Sequence, residues 1–392
     1  IFNSLIQTYS AVKQLLTFIA SLFLITTILY SCQKDDIRAE SAIDDSDAIG
    51  RPTSQPPYVL DTNPTQLQVY GVWHAGNDYC TWGTVRDMDD FDLKNHWIID
   101  RGGGSPSVNV VVLSFVNPLK LLNRTNDATT TNGLPKGMTQ QVVDYFKIHG
   151  IRVMLSIGGI TYTKDWNTAL AQNPRLLAEN AAEVARTLGV GIEIDYEENR
   201  NPNLTGLQNF ISTYRSIHPY DSQGTNHAAR LTIDLAAGDR WLIGICQKAT
   251  AEWLTTSTPV LDYANAMVPA RQPSLTEAIT NWDEHIDGKP QYAPPIPPLA
   301  PCKFTGALYM TGNQTVPECD NFDSSIQFLS SNYVTRIKHN GAGTSSGMLG
   351  YMFWAAECNS TRQLCTTNCS AGIGQGAFYF DIDIPMQALR QQ

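Results

Sequence analysis

Short apolar runs alternate along this chain with longer stretches whose apolar positions recur every three or four residues, so two periods are written into it. Runs rich in Val, Ile, Leu and aromatic residues, bounded by Gly, Pro, Asn or Asp, predict strands at 69–73, 109–115, 151–157, 190–196, 230–235, 261–268, 305–309 and 348–354. Helical spacing predicts helices over 139–149, 175–187, 204–217, 241–254, 275–285 and 324–339. Nearly continuous apolar strands, each followed by a helix, imply a parallel sheet covered on both faces. Eight such units predict an α/β protein of the (β/α)8 TIM barrel type, a fold of about 250 residues plus insertions. A doubly wound open sheet would share the alternation. No Gly-x-Gly-x-x-Gly opens a helix after the first strand, which removes support for a dinucleotide-binding version.

One strand departs from the apolar pattern. In Leu188-Gly189-Val190-Gly191-Ile192-Glu193-Ile194-Asp195-Tyr196-Glu197-Glu198, acidic residues at every second position alternate with apolar ones. Side chains on a strand point to alternate faces, so Glu193, Asp195 and Glu197 share one face while Ile192, Ile194 and Tyr196 share the other. A solvated amphipathic strand gives the same alternation, but Gly189 to Ile192 is too apolar for an exposed edge. A buried row of carboxyls is costly. The usual reason to tolerate one is a cleft that needs a neutral acid beside an anion. Upstream, Val153-Met154-Leu155-Ser156-Ile157-Gly158-Gly159 reads as a second buried strand ending in small residues.

Together these two strands resemble glycoside hydrolase family 18, the chitinases and endo-β-N-acetylglucosaminidases. The third strand of that family ends in Ser-x-Gly-Gly, matched by Ser156, Gly158 and Gly159. Its fourth carries Asp-x-x-Asp-x-Asp-x-Glu, matched by Asp195 and Glu197, with Glu193 at the second aspartate position and Val190 at the first. The resemblance implies retaining, substrate-assisted hydrolysis of β-1,4 bonds, in which the 2-acetamido oxygen of the substrate attacks the anomeric carbon. Glu197 would then be the general acid and base, Asp195 would orient the acetamide, and Glu193 would help hold a shared proton. The implied partner is an oligo- or polysaccharide containing N-acetylglucosamine, either chitin or the chitobiose core of N-glycans. Trp354, at the end of the last predicted strand, matches the aromatic that floors the sugar subsite, although a core tryptophan fits the sequence as well. Gly159, Trp73, Tyr309 and Met267 are the further candidate substrate-binding residues near strand ends, and the aromatics there, with Phe115, fit cleft wall and core alike. After its sixth strand the family shows Met-x-Tyr-Asp, whereas this chain reads Met267-Val268-Pro269-Ala270. Either Tyr309 or Asn265 replaces the missing tyrosine, or activity is reduced. Trp282 and Tyr292, in the long insertion before the seventh strand, are expected to wall one side of a cleft. The alternative from a different class is a non-catalytic surface glycan-binding protein of the same fold.

Composition narrows the partners. A net charge of -10 over 392 residues argues against a nucleic-acid backbone. Residues 1–32 read as a lipoprotein signal peptide, whose ending Leu29-Tyr30-Ser31-Cys32 resembles a lipobox with Cys32 as the lipid anchor. Gln33-Lys34-Asp35-Asp36 resembles the acidic surface-export signal of Bacteroidetes lipoproteins, which implies an extracytoplasmic place on the outer membrane. A plain transmembrane anchor is the other reading. Residues 33–66, rich in Asp, Ser, Pro and Thr, are expected to be a disordered tether, and 67–392 the barrel. The membrane is reached only through the anchor, and a monomer is expected. In an oxidising compartment, disulfides are expected in the loop of Cys302 and Cys319 and in that of Cys358, Cys365 and Cys369, with Cys246 a buried thiol. The histidines are scattered, and neither metal nor cofactor is assigned.

Overall fold

Eight parallel strands close into a barrel: β1 (Val69–His74), β2 (Val110–Val116), β3 (Arg152–Gly158), β4 (Gly191–Asp195), β5 (Leu231–Ala236), β6 (Ala264–Met267), β7 (Phe304–Tyr309) and β8 (Gly350–Trp354). Each pairs with the next, and β8 pairs with β1. This computed structural model describes residues 59–60, 68–75, 82–236, 241–267, 275–309, 348–354, 356, 377 and 390–391, all within the unit Ile49–Gln392. The side chains of 59–60, 275–279, 308–309 and 390–391 are outside that description. All eight predicted strands are present. The sixth is the most shortened, because the amides of Val260 and Leu261 both donate to the Trp253 carbonyl and tie the approach to β6 to the preceding turn.

Helices fill the outside in the order α1 (Met88–Ile99), α2 (Pro118–Leu122), α3 (Gln140–Lys147), α4 (Thr163–Gln172), α5 (Pro174–Leu188), α6 (Leu204–Ile217), α7 (Ile243–Lys248) and α8 (Leu275–Asp287). Their ends obey local chemistry. Asn173 caps α5 through the Leu176 amide with Pro174 in the first turn, and Gly189 ends it in the left-handed region at φ 66°. Along α5 the buried residues Leu177, Ala178, Ala181, Ala182, Ala185 and Leu188 recur at helical spacing and face the barrel. The predicted helix 241–254 is divided into α7 and a π-helical turn, Ala249–Trp253.

Alternation along each strand separates two apolar layers. Ile192, Ile194 and Tyr196 of β4 and its extension join the outer layer beneath the helices, where a fully buried isoleucine contributes about 1.5–3 kcal/mol. Inside, Val69, Val110, Val112, Met154, Tyr263, Ala307 and Met352 fill the barrel. Trp282 corrects the expectation of a cleft wall. It is fully buried in α8, with its ring against Gly306, where an added Cβ would lie 2.7 Å from Cε2, and near Tyr351 at 6.1 Å. A large apolar ring in an amphipathic helix went to the outer core. Tyr292 is also only partly exposed and packs on that layer. Cys246 is a buried free thiol, pushed up to about 11 by burial. Cys302 is buried as well, while Cys319, Cys358, Cys365 and Cys369 lie outside the described residues, as do the helix 324–339, Cys32, the signal peptide and most of the tether. Among the described residues, no helix is long and apolar enough to cross a membrane.

Candidate active site

Strand register decides which side chains meet inside the barrel. Ser156, Glu193 and Thr232 stand side by side on β3, β4 and β5, and Asp234, Asn265 and Thr305 on β5, β6 and β7. All six are buried, so the barrel carries a polar layer above its apolar one. Glu193 accepts hydrogen bonds from the Trp73 indole at 2.8 Å and the Asn265 amide at 2.6 Å. The Thr305 hydroxyl donates to Asn265 Oδ1 at 2.7 Å and so turns the Asn265 amide nitrogen towards Glu193. Burial raises Glu193 above the usual carboxylate range, against these hydrogen bonds. Asp234 lies beside Glu193 and Asn265, close enough to interact with both. Burial first, then the charges of Glu193 and Asp195, push it well above the ordinary range.

Towards the C-terminal mouth, Asp195 ends β4 opposite Gly158, and Glu197 follows two residues later. Asp195 is 3% exposed and Glu197 8%, which puts the second carboxyl nearest to solvent. Asp195 is raised well above its ordinary value by burial, then by the charges of Glu197 and Glu193. Burial pushes Glu197 up to about 7, opposed by hydrogen bonds from Asp195 and the Ile160 backbone N–H. Oδ1 of Asp195 is buried and has no partner among the described residues.

The small residues after β3 exist for contact. Gly158 has φ 126°, and a Cβ on it would lie 1.8 Å from the Asp195 carbonyl oxygen. Gly159, at φ 90°, donates its N–H to that same oxygen at 3.0 Å, and an added Cβ would meet the Phe115 ring at 3.2 Å. The Trp166 indole N–H, from α4, reaches both Ile157 O and Asp195 O at 3.1 Å.

Aromatic side chains gather at the mouth. Half-buried Trp354 stacks on Phe115 at 5.4 Å and 28°, and meets Trp73 edge-on at 6.3 Å. A cis peptide joins Ser114 to Phe115. Trp73, for which the sequence left cleft wall and core open, is buried with its N–H committed to Glu193, so it supports the carboxyl. Tyr309 is in register with Trp354, and its side chain is outside the described residues. Met267 ends β6 half-buried against the outer layer, and residues 268–271 lie outside the described chain. Val190 also faces the outer layer, so the departure from the family motif there removes nothing from the carboxyl row.

The structure therefore joins Glu193, Asp195, Glu197, Gly159, Trp73 and Trp354 around one mouth and adds Asp234, Thr232 and Thr305, which sequence reasoning missed. The signal was present. Leu231-Thr232-Ile233-Asp234-Leu235 alternates with the same period of two as β4.

No family model matches the chain, and no curated protein matches its sequence. Among solved structures it is similar to a GH18 chitinase from Pseudoalteromonas aurantia, with 14% identity and a TM-score of 0.50 over 78% of this chain and 99% of the other. A chitinase from Rhizomucor miehei shows 14% identity and a TM-score of 0.44 over 67% of this chain and 94% of its own. A GH18 chitinase from Cycas revoluta in complex with allosamidin shows 11% and 0.44 over 78% and 99%. The chain is a closed (β/α)8 barrel, and its structural neighbours are GH18 chitinases.

Proposed function

We propose that this barrel is a retaining glycoside hydrolase of the family 18 type, acting on β-1,4 bonds in glycans that contain N-acetylglucosamine. The observation that carries the reading is the pair at the mouth. Glu197, held near pH 7, can give a proton to a leaving oxygen and take one back from water. Asp195 beside it is pushed towards its protonated form by burial and presents a buried Oδ1 with no partner among the described residues. An acetamide N–H is the group that such an oxygen would orient, and the acetamide oxygen then serves as nucleophile. When Glu197 gives up its proton it gains negative charge, which the Asp195 carboxyl beside it can stabilise by donating a hydrogen bond, while Glu193, which accepts from Trp73 and Asn265, is the carboxyl suited to stay an anion. Trp354, stacked on Phe115, offers an aromatic face for the sugar ring. An extracytoplasmic lipid anchor at Cys32 would put this mouth where such glycans are met.

The test is product analysis by mass spectrometry after incubation with chitooligosaccharides and, separately, with a high-mannose glycoprotein. Wild-type cleavage that the Glu197→Gln variant loses supports the reading, and the substrate cut identifies chitinase or glycan-releasing activity. Binding of both glycans without cleavage of either by the wild type sinks it and leaves a glycan-binding protein of the same fold.

A further inference from the structure

The opposite end of the barrel is floored with positive charge. Arg152 opens β3 and Arg230 immediately precedes β5, and they are 1% and 4% exposed. Gly191 of β4 stands between those strands. A Cβ there would lie 2.9 Å from Arg230 Cβ, so the bare backbone leaves the arginine side chain its room. Lys303, just before β7, is fully buried and donates to the Asp262 carbonyl at 3.0 Å. Arg215 of α6 packs with Lys303 on the Tyr220 ring, at 5.6 and 5.4 Å.

Among the described residues, one buried carboxylate stands against these four cations. Asp262 accepts from Arg230 Nη1 at 2.5 Å, Arg215 Nη2 at 3.1 Å and the Leu231 amide at 2.7 Å, so it is already engaged by two of the four cations. Asp221 is half-buried and accepts from Gln223, Thr225 and Asn226 of its own loop. Arg152 makes one bond, from Nη2 to the Gly224 carbonyl at 2.7 Å. Its Nε and Nη1, and the Nε and Nη2 of Arg230, are buried with no acceptor among the described residues. Nδ1 of neighbouring His227 has none either. Unpaired donors on buried cations are among the costliest groups a protein can hold. The positive field is felt locally: burial and Arg230 push Arg152 down to about 9, and burial with Arg152, Lys147 and Arg230 pushes His227 down to about 4.

We propose that the barrel floor binds a halide-sized monovalent anion, chloride under ordinary conditions, between the guanidinium groups of Arg152 and Arg230. Such an ion supplies an acceptor for donors that the fold leaves unmatched and offsets the excess charge. It ties the starts of β3 and β5 to the 221–226 loop that covers them. Its role is structural and separate from the mouth, so it stands or falls independently of the hydrolase reading.

The experiment is diffraction from crystals of the full chain grown with sodium bromide, with data collected at the bromine absorption edge. One anomalous peak within hydrogen-bonding distance of both guanidiniums is expected. Water without anomalous signal at those nitrogens overturns the proposal. In solution, the thermal midpoint should rise saturably by about 2–5 °C in sodium chloride relative to sodium gluconate at equal ionic strength. Arg152→Met should abolish that difference. Equal midpoints of the wild type in the two salts count against the site, and the bromide measurement decides even if the variant fails to fold.

Discussion

Glu197→Gln removes the carboxyl that burial pushes up to about 7, and the consequence for stability follows from that value alone. Unfolded, the same glutamate titrates near 4.5. Between the two values the folded chain holds a proton that the unfolded chain has released. Stability therefore falls as pH rises through this window, and the full penalty is present above pH 7. A separation of 2.5 units, from 4.5 to 7, corresponds to about 3 kcal/mol, part of which is shared with Asp195 through their common proton. A glutamine has no such titration. The variant should match the wild type near pH 4 and exceed it by up to ~3 kcal/mol near pH 8, while turnover drops ~10²–10⁴-fold. Urea unfolding followed by tryptophan fluorescence across that pH range reads the first effect. Asp195, Asp234 and Glu193 remain in both proteins, so the difference between the two profiles isolates Glu197 and its coupling to them. Parallel profiles, or a wild type that is the more stable at high pH, would refute the reasoning.

Two further substitutions probe the frame around this pair. Gly158→Ala drives a Cβ into the Asp195 carbonyl at a positive φ and should cost at least ~3 kcal/mol with loss of activity; an unchanged thermal midpoint would show that the strand ends are not so closely joined. Trp73→Phe keeps a ring but deletes the N–H donated to Glu193, so urea unfolding should show a loss of about 1–3 kcal/mol, and no loss would mean that Glu193 finds another donor.

The barrel was legible because buried parallel strands advertise themselves as apolar runs, and all eight were found. The carboxyl row on β4 was legible for a different reason: its polar residues fall at a strict period of two within a buried strand. Asp234 has that same period, yet a single aspartate between leucine and isoleucine draws less notice than three acids in a row. Its importance comes from register, which sets β5 beside β4, and register is not written in either strand alone. Trp73 and Trp282 show the opposite limit. Trp282 looked like a cleft wall and Trp73 like either wall or core, and both are buried, because a tryptophan's place along a strand or helix does not say the angle at which the element packs. The cationic floor was invisible for the same cause, since Arg152, Arg215, Arg230 and Lys303 are scattered in sequence and meet only when the strand starts are brought into a ring.

Trp166 places its ring between Tyr196 and Phe210, at 5.7 and 5.6 Å, while its one N–H serves two carbonyls at the ends of β3 and β4. The alignment of Asp195 is thereby set from behind, by helices that need never touch a substrate. A slow outward excursion of α4 would unpin both strand ends in a single event. The mouth would then loosen as a unit, and the Gly159 amide, bonded to the same Asp195 oxygen, should trade its hydrogen with water only during such excursions, which native-state hydrogen exchange reads.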